Sequence, residues 1–279
     1  MQRAFIRQIR KGSLLLWFIF TYAALTAQEN VQKLQLADSI AKQTLEKEGL
    51  FTVMGGLKPI STVEHIQFSI DSLSKEYLNP AQVAQQIRML KESLMELTDD
   101  NIGFAIVPFK AVYGSGRSFQ LLVFNRASIQ KAIAKYPDFF IKRGVLADAE
   151  IDPSPLLIMY EFEEKMDRFR AYGYLFGYPA YAVDFFVDAA LHQEETGEFV
   201  KRGFFQIPVA SSDTGRFVYA IPENQEPQPV DLEIERRARE ILETYKRIRD
   251  ERPDALTDYP FLQLFKFVRE SFGNCNCLN

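Results

Sequence analysis

The chain has 279 residues, with 33 Lys and Arg against 37 Asp and Glu, a hydrophobic fraction of 47% and two cysteines. That apolar content excludes global disorder, and so few cysteines exclude a disulfide-built scaffold. The acidic balance argues against nucleic acid as a partner, because affinity for a polyanion rests on neutralising its phosphates with Lys and Arg.

Residues 1–27 read as a signal peptide. Arg3, Arg7, Arg10 and Lys11 stand without an acid before the apolar run GSLLLWFIFTYAAL, and Ala27 closes a passable cleavage site with Leu25 where a small residue is usual. The run is short for a membrane span, which takes about 20 apolar residues; a retained N-terminal anchor is the alternative. Residues 28–279 keep 29 of the 33 basic residues against all 37 acidic ones, a net charge of −8. No transmembrane span is expected there. The nearest approach, GYLFGYPAYAVDFFVDAAL, contains Asp184 and Asp188. The expected location is periplasmic or secreted.

In chain order, the first element is a helix over 30–48, on the stripe Val31, Leu34, Ala37, Ile40 and Leu45, with Gly49 as its stop. Leu50–Met54 is a short strand or an extension of that helix. Gly55, Gly56 and Pro59 force a turn. The glycines lack a nucleotide-loop context, since no Lys-Ser/Thr pair and no GxGxxG spacing accompanies them. His65 follows in a mixed segment with no second histidine at ligand spacing and reads as a surface or structural residue. Asn79-Pro80 opens an amphipathic helix to about Thr98, with Asn as cap and Pro at the first helical position. Asp99-Asp100-Asn101 is a turn without the oxygen spacing of a calcium loop.

Residues 102–109 and 118–124 are β-branched and aromatic, and predict two strands joined by a hairpin at Gly114–Gly116. Residues 126–136 predict a short helix capped by Asn125. Residues 155–162 (PLLIMYEF) form a nearly continuous apolar run, which suits a central strand. A helix from about Glu163 then breaks at Gly177-Tyr178-Pro179 and restarts at Ala180, running to about Glu195. Gly173 and Gly177 share a helical face, as close helix packing requires. Residues 201–223 predict a hairpin turning at Ser211–Gly215. Its Asp213-Thr214-Gly215 resembles the aspartic-protease tripeptide only in letters, because no second copy exists to share the proton. A Pro-rich connector (224–231) leads to an amphipathic helix over 232–252, and Tyr259-Pro260 opens a last one.

The predicted fold is α+β: a mixed or antiparallel sheet of about 5–6 strands packed against amphipathic helices, as a single domain after the signal peptide. Its parts are a core over 28–223, the connector, and C-terminal helices over 232–279 packed on the core, ending in a Cys-x-Cys tail.

Three sets of residues carry candidate chemistry. Tyr172, Tyr174, Tyr178 and Tyr181 crowd the helix break, and so many phenols suit a pocket wall or an interface, because buried hydroxyls need partners. Tyr174, Tyr178 and Tyr181, with Arg168 and Arg170 to hold a carboxylate, form the candidate ligand-binding set. Asp184, Asp188 and His192, spaced i, i+4, i+8, share a helical face and are the catalytic candidates; that face is equally the solvent side of an amphipathic helix. Asp188, His192, Cys275 and Cys277 are the candidate ligands for a divalent metal, although two thiolates alone do not complete a zinc site. The expected function is an exported protein that binds a small molecule or a protein partner through the tyrosine-rich break. The alternatives are a metal-assisted hydrolase built on the Asp/Asp/His row and a structural or assembly protein.

Overall fold

The computed structural model describes residues 27–112, 114–145, 152–252 and 258–273. The expected signal peptide, apart from Ala27, and the Cys275/Cys277 tail lie outside the described residues.

Helix α1 (27–46) buries Ala37, Ile40, Ala41 and Leu45, the stripe that its spacing dictates. A one-turn helix, α2 (Leu50–Val53), follows it with all four residues buried. The Gly-Gly turn then feeds strand β1 (Ile60–Ser69). Helix α3 (Pro80–Met95) starts on Pro80 as expected, but Asn79 makes no side-chain cap bond. The turn after it is held by Asp99, whose Oδ1 accepts from the backbone N–H of Asn101 at 2.7 Å and of Ile102 at 2.5 Å.

Strands β2 (Ile102–Pro108) and β3 (Gly116–Asn125) form an antiparallel hairpin, and β1 pairs with the other edge of β3. The sheet order is therefore β1-β3-β2. Both of its faces are covered. Leu121 and Val123 point into one core, with α1, α2 and the C-terminal helices; Leu122 and Phe124 point into a second, beneath the helices that follow. A strand buried on both faces reads as an unbroken apolar run, which is why LLVF carries no polar alternation.

Asn125 ends β3 and caps α4 (Arg126–Lys135), its side chain accepting from Ser128 N–H at 2.9 Å. Helix α5 (Pro137–Ile141) comes next. The predicted central strand over 155–162 is instead helix α6 (Pro153–Phe162). Its apolar run is buried with helical periodicity at Leu156, Leu157 and Tyr160, while Ile158 and Phe162 face solvent. Asp152 accepts from Ser154 N–H at 3.0 Å and Pro153 takes the first turn. This Asp-Pro start outweighs apolar continuity, since a short apolar run does not itself distinguish strand from helix.

Helices α7 (Lys165–Leu175) and α8 (Ala180–Thr196) flank the break, and Gly197 closes α8 with φ 76°. Strands β4 (Arg202–Val209) and β5 (Ser212–Pro222) form a separate two-stranded hairpin. Val209 pairs with Ser212, so the chain turns at Ala210-Ser211 and not over Ser211–Gly215; the Asp213-Thr214-Gly215 tripeptide lies within β5. Helix α9 (Pro229–Asp250) begins earlier than expected, and Asp231 belongs to it and not to the connector. Helix α10 (Pro260–Gly273) docks onto α1 through Leu262 N–H, 2.9 Å from Asp38 Oδ1.

The class is α+β, but no single sheet of 5–6 strands forms. Among the described residues five strands divide into a three-stranded and a two-stranded antiparallel sheet. With 155–162 helical, no further strand among the described residues extends the first sheet. The β4–β5 hairpin instead lays Phe205, Ile207, Phe217 and Tyr219 into the core that α1, α2 and α9 also fill.

Candidate ligand cleft at a helix break

The break between α7 and α8 is built by local geometry. Gly177 sits at φ 79°, a left-handed conformation natural to glycine. Its N–H bonds to Tyr174 O at 3.1 Å, and Tyr178 N–H bonds to Gly173 O at 3.0 Å. This pair of bonds is the Schellman termination, which satisfies carbonyls that α7 would otherwise leave open. Pro179 then starts α8, its carbonyl accepting from Ala182 and Val183 N–H at 3.0 Å each. A Cβ on Gly177 would stand 3.0 Å from Leu57 O, so the break rests directly on the turn after α2. A Cβ on Gly173 would stand 2.6 Å from Val183 Cγ2, so α7 and α8 meet at the closest approach their backbones allow.

Beneath the break lies Lys58, 0% exposed. Its Nζ is 2.8 Å from Glu48 Oε2 and stands over three rings: Phe217 at 4.2 Å, and Phe176 and Tyr178 at 5.2 Å each. Burial pushes the Lys58 amine below its ordinary range, and the Glu48 carboxylate opposes that shift. The aromatic faces and the carboxylate together replace the water that a buried ammonium gives up.

The four tyrosines have separate duties. The Tyr172 hydroxyl donates to Glu161 Oε2 at 3.1 Å. Tyr174 is buried and stacked on Tyr136, with ring centroids 3.8 Å apart, and its hydroxyl accepts from Arg170 at 3.3 Å. Tyr178 packs among Phe176, Phe217 and Tyr219. The Tyr181 hydroxyl donates to Asp231 Oδ2 at 2.6 Å, and Tyr219 donates to the other carboxylate oxygen at 2.6 Å. Asp231 also accepts from Gln228 N–H at 2.7 Å, so one fully buried carboxylate ties the break, the hairpin and the first turn of α9 together. Burial, followed by the Asp231 contact, pushes the phenols of Tyr181 and Tyr219 up.

Between α7, α8 and the hairpin is a cavity of about 310 Å³. Phe169, Phe176, Tyr178, Phe186, Phe204 and Ala220 give it walls that are almost wholly apolar. Phe204 stands 57% exposed and Phe199 61% exposed on the surrounding surface, and the Arg202 guanidinium lies 5.4 Å from the Phe186 ring and 4.7 Å from that of Phe199. On the other flank of the Phe169–Tyr172–Phe176 stripe is a second cavity, of about 300 Å³, with polar walls at Arg168, Glu161 and Gln120. Glu161 is buried there, 2.9 Å from Lys110 N–H and 3.7 Å from the Arg168 guanidinium.

The sequence candidates are thus dispersed. Tyr178 lines the apolar cavity; Tyr174 and Tyr181 do not. Arg168 lines the polar one and meets Glu161, and Arg170 is ion-paired with Asp184, so both arginines already hold carboxylates of the protein itself. Asp188 and His192 are exposed on the outer face of α8, His192 lying 3.9 Å from Glu198. Among the described residues no group of three His, Cys, Asp or Glu is arranged to hold a metal ion, and no helix is long and apolar enough to cross a membrane. The buried Lys58, Glu161 and Asp231 were missed. Only Asp231 had a readable signal: Gln228-Pro229-Val230-Asp231 has the spacing of a capping box, of which the structure forms the half where Asp231 accepts from Gln228 N–H.

The walls of the apolar cavity offer ring faces and aliphatic surface for stacking and apolar contact. No protein-family model matches the chain, and no curated protein and no solved structure is measurably similar to it.

Proposed function

We propose that this chain is an exported binding protein whose cleft at the α7–α8 break takes a small, flat, apolar molecule. The carrying observation is the cavity of about 310 Å³ walled by Phe169, Phe176, Tyr178 and Phe186. Its volume falls at the lower end of ligand pockets, about 300–1,000 Å³. Aromatic walls offer edge and face contacts worth about 0.5–1.5 kcal/mol per ring pair beyond burial. Export rests on the basic-then-apolar character of residues 1–27.

The single tryptophan of the chain is Trp17, so residues 28–279 contain none. Phe204→Trp in that mature chain places a lone fluorophore in the cavity wall. Titration with naphthalene should change its emission saturably at one molecule per chain. Ala220→Phe, which fills the cavity from β5, should abolish the response with the far-UV circular dichroism unchanged. A response that Ala220→Phe leaves intact would show that the cleft is not the binding site.

The exposed Phe199 and Phe204 support a second reading, in which the cleft receives an apolar side chain of a protein partner. In that case naphthalene fails to saturate, and the partner is lost on Phe204→Ser.

A further inference from the structure

We propose that the opposite side of the break is a phosphate-binding cleft, formed by the Gly55-Gly56-Leu57 turn, α4 and the first turns of α9. It shares Tyr178 with the apolar cleft but does not rest on that reading.

The space is about 340 Å³. Three cations line it: Lys131 and Lys135 from α4, and Arg237 from α9. Among the described residues neither Lys131 nor Arg237 makes an ion pair, and Lys135 meets only the face of Tyr136, at 5.3 Å. Glu233 is the sole acid in the walls; Arg236 takes both its oxygens, at 2.9 and 2.7 Å, and Arg237 adds a weaker attraction to the same carboxylate. The cleft is therefore positive in a mature chain of net charge −8. Lys131 and Lys135 are also spaced i, i+4, where like charges on one helix face repel when nothing neutralises them.

The backbone adds donors. Gly55 and Gly56 lie at φ 73° and 56°. The Ser128 hydroxyl holds the turn by donating to Gly56 O at 2.9 Å, and a Cβ on Gly56 would strike that hydroxyl at 2.2 Å. The Gly55-Gly56 turn closes through Leu57, and the N–H of Gly56, a residue of the wall, donates to no protein acceptor among the described residues. A free backbone N–H in such a turn adds a donor that an anion can take. Three cations and a backbone N–H offer more donors than the two oxygens of a carboxylate accept well; a phosphate dianion with three terminal oxygens matches them. Tyr136, Tyr174 and Pro179 complete the wall with apolar surface, so the fitting ligand is a phosphate monoester carrying a ring or other compact apolar group.

The test is calorimetric titration of the mature chain with phenyl phosphate, inorganic phosphate and benzoate at constant ionic strength set by chloride. Phenyl phosphate should saturate one site, bind more tightly than inorganic phosphate, and bind at least tenfold more tightly than benzoate. Lys131→Gln and Arg237→Gln should each weaken it about tenfold, whereas Lys142→Gln, an exposed lysine outside the cleft, should not. The Gly56 amide resonance should move with phenyl phosphate. Ala220→Phe should leave the affinity unchanged, which separates this site from the apolar cleft. Absence of saturation, affinity left unchanged by Lys131→Gln and by Arg237→Gln, or benzoate binding as tightly as phenyl phosphate would overturn the proposal.

Discussion

The break segment from Tyr178 through α8 has two sides, and their polar residues stand in opposite surroundings. On the inner side, Tyr178 closes over the buried Lys58, and Tyr181 reaches the buried Asp231. On the outer side, Asp184 pairs with Arg170 at the surface, and Asp188 and His192 stand exposed. A hydrogen bond or ion pair inside cannot be exchanged for one to water, so removing one partner strands the other. Outside, water replaces either partner at little cost. The contrast is a statement about energy, and it can be broken by perturbing each side in turn.

The largest effect expected is alkaline. Burial raises the phenols of Tyr160, Tyr172, Tyr178, Tyr181 and Tyr219, and pushes that of Tyr245 up to about 12. In the unfolded chain each titrates near 10. The folded state therefore holds protons that the unfolded state has lost, and its stability, fully present below about pH 10, falls as pH rises through the folded values. Absorbance at 295 nm between pH 9 and 13 should show these tyrosines ionising in one step that coincides with loss of circular dichroism. Gradual ionisation near pH 10 with the fold intact would place them at the surface.

Next is the Lys58 cage. Lys58→Ala removes the ammonium from between Glu48 and three rings and leaves the carboxylate poorly solvated. The expected loss is about 3 kcal/mol in urea unfolding, the lower end for a broken buried pair, because Glu48 keeps some contact with solvent. Lys58→Met combined with Glu48→Gln retains the volume and removes both charges, and should cost less than about 1.5 kcal/mol. Equal losses in the two variants would mean that the cage is held by volume and not by charge.

Asp231→Ala follows, at about 2–3 kcal/mol, because it strands the phenols of Tyr181 and Tyr219 and uncaps α9. Tyr181→Phe should cost less than Tyr219→Phe, since Tyr219 is the more buried of the two. Thermal melts of the three variants check this order; a milder effect from Asp231→Ala than from Tyr219→Phe would remove Asp231 from the centre of the network.

These sites also mark what could be read from residues alone. Local signals were legible: the Asn125 cap, the Gly177–Pro179 break and the stripe of α1 each depend on a few neighbouring residues. The helix at 153–162 was not, because its apolar run satisfies strand and helix alike, and the deciding Asp152-Pro153 start was overlooked beside it. Lys58 and Glu161 had no legible signal. Each is one charged residue in an ordinary context, and its burial is produced by segments far away in sequence: Phe217 for the first, and Lys110 for the second, 51 positions off. The Asp/Asp/His row attracted attention for the opposite reason. Its spacing is local and regular, but regular polar spacing on a helix is also what solvent requires of an outer face.

The smallest effect is expected on that outer face, and it is the sharpest check on the contrast. Asp188→Ala and His192→Ala should each shift stability by no more than about 0.5 kcal/mol, the range of surface substitutions away from any cap or core. Asp184→Ala loses an ion pair with Arg170, whose guanidinium is partly covered, and should cost no more than about 1 kcal/mol. Stability alone does not separate an idle row from a metal site, because an unoccupied site is also tolerant. Ligand linkage does. A divalent ion bound only by the folded state raises the melting temperature as its concentration passes its dissociation constant. Zinc or manganese titrated up to about a thousand times that constant would add about 4 kcal/mol, a shift of several degrees. With Asp184 engaged by Arg170 and His192 beside Glu198, no such rise is expected. A rise that vanished in both Asp188→Ala and His192→Ala would show that the outer face recruits a metal, and the difference between the two sides of α8 would then be one of occupancy and not of burial.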